Sequence, residues 1–500
     1  MCTPGAAQEC YSGPAGTNGK GICAAGTQVC NAEGTGYGAC NGEVLPKTED
    51  CATPQDEDCD GLAPPCKGQL LWAKRFGDPD GSPSPACRAN AVSADPSNNN
   101  VLLTGAFNAT ADFGGGALTT AGANDVFLAV LDPDGGFVRA ARYGGADAQA
   151  GTGVVYLPDG RSKAVGIFSA ALDLGAGTLV CAGSTDLFAA SFDSTGAAEW
   201  SHGFGDSAPQ APISMAADSA GNVALTGAFF SSIDLGGGLL ASAGGSDVFV
   251  AKLGPDGVHQ WSHRYGDGTA QQGQGVAFDN AGNIVVSGVF SGTIDFGVQK
   301  LTSAGASDVY LVKLGPDGSV LWAKRYGDTD LQQNAVVAVD SAGNILFAGS
   351  FRGTIDLGGG PMVSAGEADV FLAKLDPDGK HLWSKRFGDS QDQLSMSIAF
   401  DVQNNVLLAG AFVGALDFGG GPLASAGGHD VFLAKLDTLG DHVWSKRFGD
   451  QAEQYVTAVA SDGAGAVLVT GYFTGALDLG GGAMIAKSAL SDGFVAKFSP

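Results

Sequence analysis

Residues 369–389 read DVFLAKLDPDGKHLWSKRFGD. An apolar run, a tight Asp-Pro-Asp-Gly turn and a second run ending in Phe-Gly-Asp make this a β-hairpin in sequence. Pro presets one turn dihedral and Gly accepts positive φ. The opening aspartate returns at Asp125, Asp186, Asp247, Asp308, Asp369, Asp430 and Asp492, a spacing of 61 residues five times and then 62. The tryptophan of the second run returns at Trp72, Trp200, Trp261, Trp322, Trp383 and Trp444, with Arg139 in its place once. A period of this size decides the architecture before any local reading does.

Each unit holds four short runs rich in Val, Ile, Leu and Phe, bounded by Gly, Asp, Asn and Pro, which is the strand signature. In the fifth copy they are 335–340, 344–351, 369–375 and 382–387, with a long Gly-rich connection between the second and third. Four antiparallel strands per repeat describe a β-propeller blade. The array begins on a lone fourth strand, LLWAKRF at residues 70–76, and ends on a third strand at Phe498. The N-terminal strand therefore completes the last blade and closes a ring, which removes free sheet edges. The expected fold is all-β: a seven-bladed β-propeller of four-stranded antiparallel blades over residues 67–500.

Residues 1–66 read as a separate, small, irregular cysteine-rich module. They carry eight of the ten cysteines, at positions 2, 10, 23, 30, 40, 51, 59 and 66, with nine acids against two lysines and few large apolar residues. So short and polar a segment needs covalent staples. An even cysteine count without Cys-x-x-Cys or His fits four disulfides better than zinc. Disulfides imply export, to the periplasm, the cell surface or the exterior. No signal sequence opens the given chain.

Glycine is abundant, 80 of 500 residues, and lacks a three-residue period, which indicates many turns rather than collagen or disorder. The net charge of −26 disfavours nucleic acid and anionic membranes as partners. No apolar run is long enough to span a bilayer.

The string from Asp-Val-Phe through Lys-Leu-Asp-Pro-Asp-Gly to Trp-Ser-Lys-Arg-Phe-Gly resembles the bacterial seven-bladed β-propeller (SBBP-type) repeat family across residues 69–500. That resemblance implies secreted or surface-attached proteins and supplies no catalytic motif. Unit two departs most, with Leu187, Ser191 and a Leu-Pro-Asp-Gly turn at 157–160; unit one lacks the Trp at Arg139. Asp56-Glu57-Asp58-Cys59-Asp60-Gly61 resembles the acidic Asp-Cys-Asp-Gly metal-binding motif of bacterial surface proteins.

Two aspartate series recur. Asp112, Asp173, Asp234, Asp295, Asp356, Asp417 and Asp478 sit in the long connections; Asp78, Asp206, Asp267, Asp328, Asp389 and Asp450 follow Phe/Tyr-Gly. Seven-fold repetition argues first for turn caps. The functional alternative makes the first series, together with Asp56, Asp58 and Asp60, oxygen ligands for Ca2+. The Trp and Phe of the fourth strand read as packing between blades, and the Lys-Arg pairs as outward charges guarding an edge. The histidines form no ligand cluster in sequence. Cys87 and Cys181, on one face of neighbouring blades, are expected to form a disulfide.

Neither a Gly-x-Ser-x-Gly nucleophile nor a phosphate loop occurs. The expected function is therefore non-enzymatic: a monomeric binding or adhesion scaffold for a surface protein or glycan, needing no cofactor. The alternatives are a lyase or glycosidase working at the channel mouth, and a divalent-metal-binding surface protein.

Overall fold

The computed structural model describes residues 1–47, 55–57, 59, 67–78, 86–487 and 490–500, with 211–213 described by backbone alone. The chain divides into two compact units, Met1–Gln69 with Ser499–Pro500 and Leu70–Phe498. The boundary thus falls three residues beyond the expected 66.

In the smaller unit Ala7–Cys10 pairs antiparallel with Gly26–Val29. Disulfides join Cys2 to Cys30, Cys10 to Cys40 and Cys23 to Cys59. Cys51 and Cys66, the remainder of the four-bridge expectation, lie outside the described residues. Among the described residues of this unit Cys23, Cys30 and Cys59 are the buried hydrophobics, so the bridges stand where a larger domain has its core. Such bridges belong to an oxidising environment.

The larger unit is a seven-bladed propeller of four-stranded antiparallel sheets. Blade five is built from Gln332–Val339, Ile345–Phe351, Asp369–Leu375 and His381–Phe387, hydrogen-bonded in that order. Blade seven runs Gln454–Ser461, Val467–Phe473, Asp492–Phe498 and then Leu70–Phe76, so the N-terminal strand does close the ring. Across the closure Cys87 N donates to Ser491 O (3.0 Å) and Thr457 Oγ1 to Ala89 O (2.6 Å). No helix among the described residues is long and apolar enough to cross a membrane.

The long connection holds an element that the sequence reading left as loop. In blade five it forms a two-stranded hairpin, Thr354–Asp356 with Pro361–Val363. Its turn needs Gly358 and Gly360, at φ +102° and +105°.

The core lies between blades. Each hydrophobic cluster draws on two consecutive sheets: Val285, Leu311 and Tyr326 of blade four meet Ile345, Phe347 and Phe371 of blade five. Phe76, Leu468 and Val495 of blade seven meet Leu103, Phe107 and Phe127 of blade one. The third strand is covered on both faces, so all seven residues of Asp369–Leu375 are buried. Each Val, Leu or Phe buried there contributes about 1.5–3 kcal/mol.

The same strand carries a lysine, and its buried head is matched. Lys374 Nζ lies 2.9 Å from Asp340 in the first turn, as Lys313 does from Asp279, Lys435 from Asp401 (2.8 Å) and Lys497 from Asp462 (2.8 Å). The ammonium also crosses to the next blade, Lys313 donating to Pro377 O (3.0 Å). Trp261 Nε1 reaches the neighbouring turn in the same way, donating to Pro316 O (2.9 Å), and Trp72, Trp200, Trp322 and Trp383 make the equivalent bond, whereas the Trp444 indole N–H does not.

Blade two breaks this pattern and repairs it. Ser191 replaces the lysine and Leu157 the turn aspartate. Lys163, on the second strand opposite Ser191, supplies the ammonium instead. It donates to Ser191 Oγ (2.8 Å) and to Pro255 O of blade three (2.9 Å).

The outer-strand arginines do not simply face outward. Arg386 turns in to the buried carboxylate of Asp369, as do Arg75 to Asp492, Arg142 to Asp125, Arg264 to Asp247, Arg325 to Asp308 and Arg447 to Asp430. An ion pair with one buried partner is needed once that aspartate occupies the end of a covered strand. Lys385 reaches across to Asp441 of the next blade (2.7 Å).

Candidate functional site

Strand order sends the tight turns to one face and the long connections to the other. At the centre, the seven first strands surround a channel of about 270 Å3. Each first strand carries a β-bulge, at Ala89/Ala91, Gly151/Gly153 and the five equivalent places. Bulges re-aim side chains. Asn90 Nδ2 donates to Gly151 O of the next blade (2.8 Å), and Gln274 Oε1 accepts from Ala335 N (2.8 Å). Among its described lining residues the channel has no ionisable side chain. The paired carboxylates that a glycosidase requires are not in this wall.

The rim of the channel on the loop face is more varied than the strands. Its positions change residue type between most blades. The residue after the second strand is, in blade order, Asn108, Ser169, Phe230, Ser291, Arg352, Val413 and Thr474. The residue before the third strand is Asn124, Thr185, Ser246, Ser307, Ala368, His429 and Ser491.

Where blades six, seven and one meet, these singular residues converge. His429 Nδ1 lies 3.0 Å from Glu453 Oε2, and Tyr455 OH donates to the same oxygen (2.9 Å). The Tyr455 ring centre is 5.4 Å from that of Tyr472, and the Arg88 guanidinium sits 4.4 Å over Tyr472. Burial pushes the Glu453 carboxyl up, but hydrogen bonds from Tyr455 and His429 outweigh it and hold the carboxyl below its ordinary value. Burial and the neighbouring Glu453 raise the Tyr455 phenol. The cluster is therefore a fixed arrangement of an aromatic pair, a carboxylate, an imidazole and a cation, each at least partly exposed.

Across the mouth, blades three and four form a cavity of about 340 Å3 lined by Pro209, Ala228, Phe230, Ala270, Gln272 and Val289 among others. Phe230 is 46% exposed there.

The metal candidates are placed as turn residues. Asp356 Oδ1 accepts from Gly358 N (2.8 Å) and Gly360 N (3.1 Å). Asp112, Asp234, Asp417 and Asp478 make the same pair of bonds, and Asp173 and Asp295 the first of them. One such carboxylate stands on each hairpin. Among the described residues no three His, Cys, Asp or Glu side chains gather as a metal would need. Asp56 is buried, and Asp58 and Asp60 lie outside the described residues. The second series ties loop to hairpin: Asp267 Oδ1 accepts from Thr269 N and its Oδ2 from Thr293 N (2.8 Å each).

The expected Cys87–Cys181 disulfide is not formed; both are free thiols. Sharing a face is not sharing a place. Cys87 is packed at the junction of blades seven and one, where burial pushes its thiol up to about 12. Cys181 follows the hairpin of blade two, its N–H bonded to Ala170 O.

Sequence reading missed Arg88, His429, Glu453, Tyr455 and Tyr472. The signal was present in the aligned repeats, as positions that vary between copies where the strands around them hold their residue types.

No family model matches this chain, so the SBBP-type reading stays a resemblance. A stretch of 193 residues is 23% identical to an uncharacterized WD repeat-containing protein, L264, of Acanthamoeba polyphaga mimivirus, covering 32% of this chain and 14% of that protein. Another of 186 residues is 27% identical to the regulatory protein FlaEY of Caulobacter vibrioides, covering 36% and 19%. The chain thus spans less than a fifth of the length of these curated relatives. Among solved structures, Saccharomyces cerevisiae Sqt1 aligns with a TM-score of 0.38 at 9% identity, over 82% of this chain and 85% of that one. A gluconolactonase of Xanthomonas campestris aligns with a TM-score of 0.32 at 12% identity, over 68% and 84%. Regucalcin of Agrobacterium tumefaciens, a calcium-binding protein, gives 0.31 at 10%, over 69% and 85%.

Proposed function

We propose that this protein is a non-enzymatic binding scaffold of the cell exterior, whose propeller presents its loop-side rim to a surface glycan. The observation that carries the reading is the convergence of Tyr455, Tyr472, Glu453, His429 and Arg88 on the face where aligned positions vary most between blades. Loops on a rigid scaffold are where binding residues vary freely. Aromatic faces flanked by hydrogen-bonding groups suit the apolar and hydroxylated sides of a sugar.

The tuning of Glu453 does not suit it to the part of a general acid. A glycosidase acid needs a carboxyl raised enough to hold its proton near neutral pH. Glu453 is shifted the other way. A surface protein is the second reading, favoured by the 340 Å3 cavity beside Phe230, which would take an apolar side chain.

A glycan array probed with the wild type and with Tyr455→Ala/Tyr472→Ala separates these readings. The glycan reading expects retained sugars on the wild-type array and their loss in the variant. An array without hits, or hits indifferent to both tyrosines, rejects it.

A further inference from the structure

The third strand of every blade opens with a buried aspartate, and six of the seven carboxylates receive an arginine from the fourth strand. Blade two keeps the aspartate and lacks the arginine. Asp186 is 3% exposed, and the residue in the arginine's place is Gly203. Asp186 Oδ2 accepts from Ala182 N (2.8 Å), as Asp247 Oδ2 does from Ala243 N, but Asp247 also takes Arg264 Nη1 (2.6 Å).

The charge left in blade two is not balanced by its surroundings. Burial raises the Asp186 carboxyl, hydrogen bonds from Ala182 and the Cys181 thiol oppose that, and Asp206 adds a second negative charge. Among the described residues no cation is among the groups that act on it. A thiol is a weak, neutral donor and cannot replace a guanidinium. A buried carboxylate without its partner is costly.

The other blades mark the route by which a cation reaches this carboxylate. In blades one, three, four, five and six the arginine side chains that reach it are 30–33% exposed, so they run along solvent. Gly203 itself is exposed and carries no side chain; a Cβ on it would press on Phe168 Cζ at 3.3 Å, a contact the ring would have to yield to. Blade two thus lacks the side chain that takes this path in the other blades and keeps the carboxylate at its end.

We propose that Asp186, at the end of the path left clear by Gly203, is a receptor site for a guanidinium group carried by a ligand. The ligand supplies in trans the donor that each other blade supplies in cis. A planar fork of N–H donors suits a carboxylate better than a compact ammonium does. An arginine side chain of a partner and a small free guanidino compound share this chemistry.

The test uses the full chain with methylguanidinium and N-acetylarginine amide at millimolar concentration, and tetramethylammonium at matched ionic strength. Wild type should show a saturable rise in Tm of a few degrees with methylguanidinium and none with tetramethylammonium. A matching response to N-acetylarginine amide assigns the site to an arginine side chain. A response to methylguanidinium alone assigns it to a small guanidino compound. Gly203→Arg should fill the site from within, melt above the wild type and respond to neither probe. Isothermal titration of Asp186→Asn gives the second readout, with binding lost. Equal responses in wild type and Gly203→Arg, or an equal response to tetramethylammonium, overturn the proposal.

Discussion

The turn face and the loop-side rim of the same propeller follow opposite rules. On the turn face one solution is written repeatedly. Asp340 holds Lys374, Asp279 holds Lys313, and Asp401 holds Lys435 within about the same distance. Even blade two, which loses both members, restores an ammonium through Lys163. On the rim the positions vary from blade to blade, and blades six, seven and one gather Arg88, His429, Glu453, Tyr455 and Tyr472. Recurrence, as in the lysine–aspartate pair of blades four to seven, marks what a repeated packing problem demands; divergence marks what a single ligand demands. A repeat protein separates the two within one chain, without any relative to compare.

The sharpest way to break this contrast is to open the ring. Deleting Leu70–Phe76 removes the fourth strand of blade seven, including Trp72 and the buried Phe76. Loss of Phe76 alone is worth about 3–5 kcal/mol. The deletion should leave the chain insoluble or melting many degrees lower by circular dichroism; an unchanged Tm would reject closure by that strand.

Next comes the turn-face ion pair. Asp340→Ala strands the buried Lys374 ammonium and should cost about 3–5 kcal/mol in urea unfolding. Asp340→Ala combined with Lys374→Met should recover most of that loss. A double variant no more stable than the single one would mean that the pair is not what the turn face repeats for.

Lys163 sharpens the comparison through pH. Burial lowers its ammonium from an ordinary lysine value to about 8. Between that value and the unfolded one near 10.5 the unfolded chain binds the extra proton, so stability rises with pH across this window. Lys163→Met should abolish that rise. A melting profile between pH 8 and pH 10 that is identical in wild type and variant would show that Lys163 is not held as described.

The smallest expected effect belongs to the hairpin aspartates. Asp356→Ala removes two turn hydrogen bonds and should cost about 1 kcal/mol. Adding Ca2+ after EDTA dialysis should shift Tm by less than that change does. A Ca2+ shift of several degrees that Asp356→Ala diminishes would restore the ion-site reading of the series.

The ring, its blade count and its closure were legible in the sequence because the 61-residue period, the third-strand run and the orphan strand at residues 70–76 each carry one meaning. The small hairpins were not, because Asp-Leu-Gly-Gly-Gly has no alternation to announce a three-residue strand. Arg386 was read as an outward charge, since a fourth strand looks like an edge until the buried Asp369 beside it is known. The Cys87–Cys181 expectation failed because face and blade do not place a side chain: Cys87 packs inward at the junction of blades seven and one, and Cys181 follows the hairpin of blade two. The rim stayed hidden for a related reason: Arg88, His429 and Tyr455 are far apart in sequence, and only the ring's closure brings blade one beside blade seven.

Hydrogen–deuterium exchange of the full chain, with and without the strongest glycan from the array, tests the rim most directly. Slowed exchange should fall on the segments around Arg88, His429, Glu453–Tyr455 and Tyr472–Thr474, leaving the turns at 340–344 and 376–380 unchanged. Protection confined to the turn face or the outer strands would contradict the assignment of the binding surface to the rim.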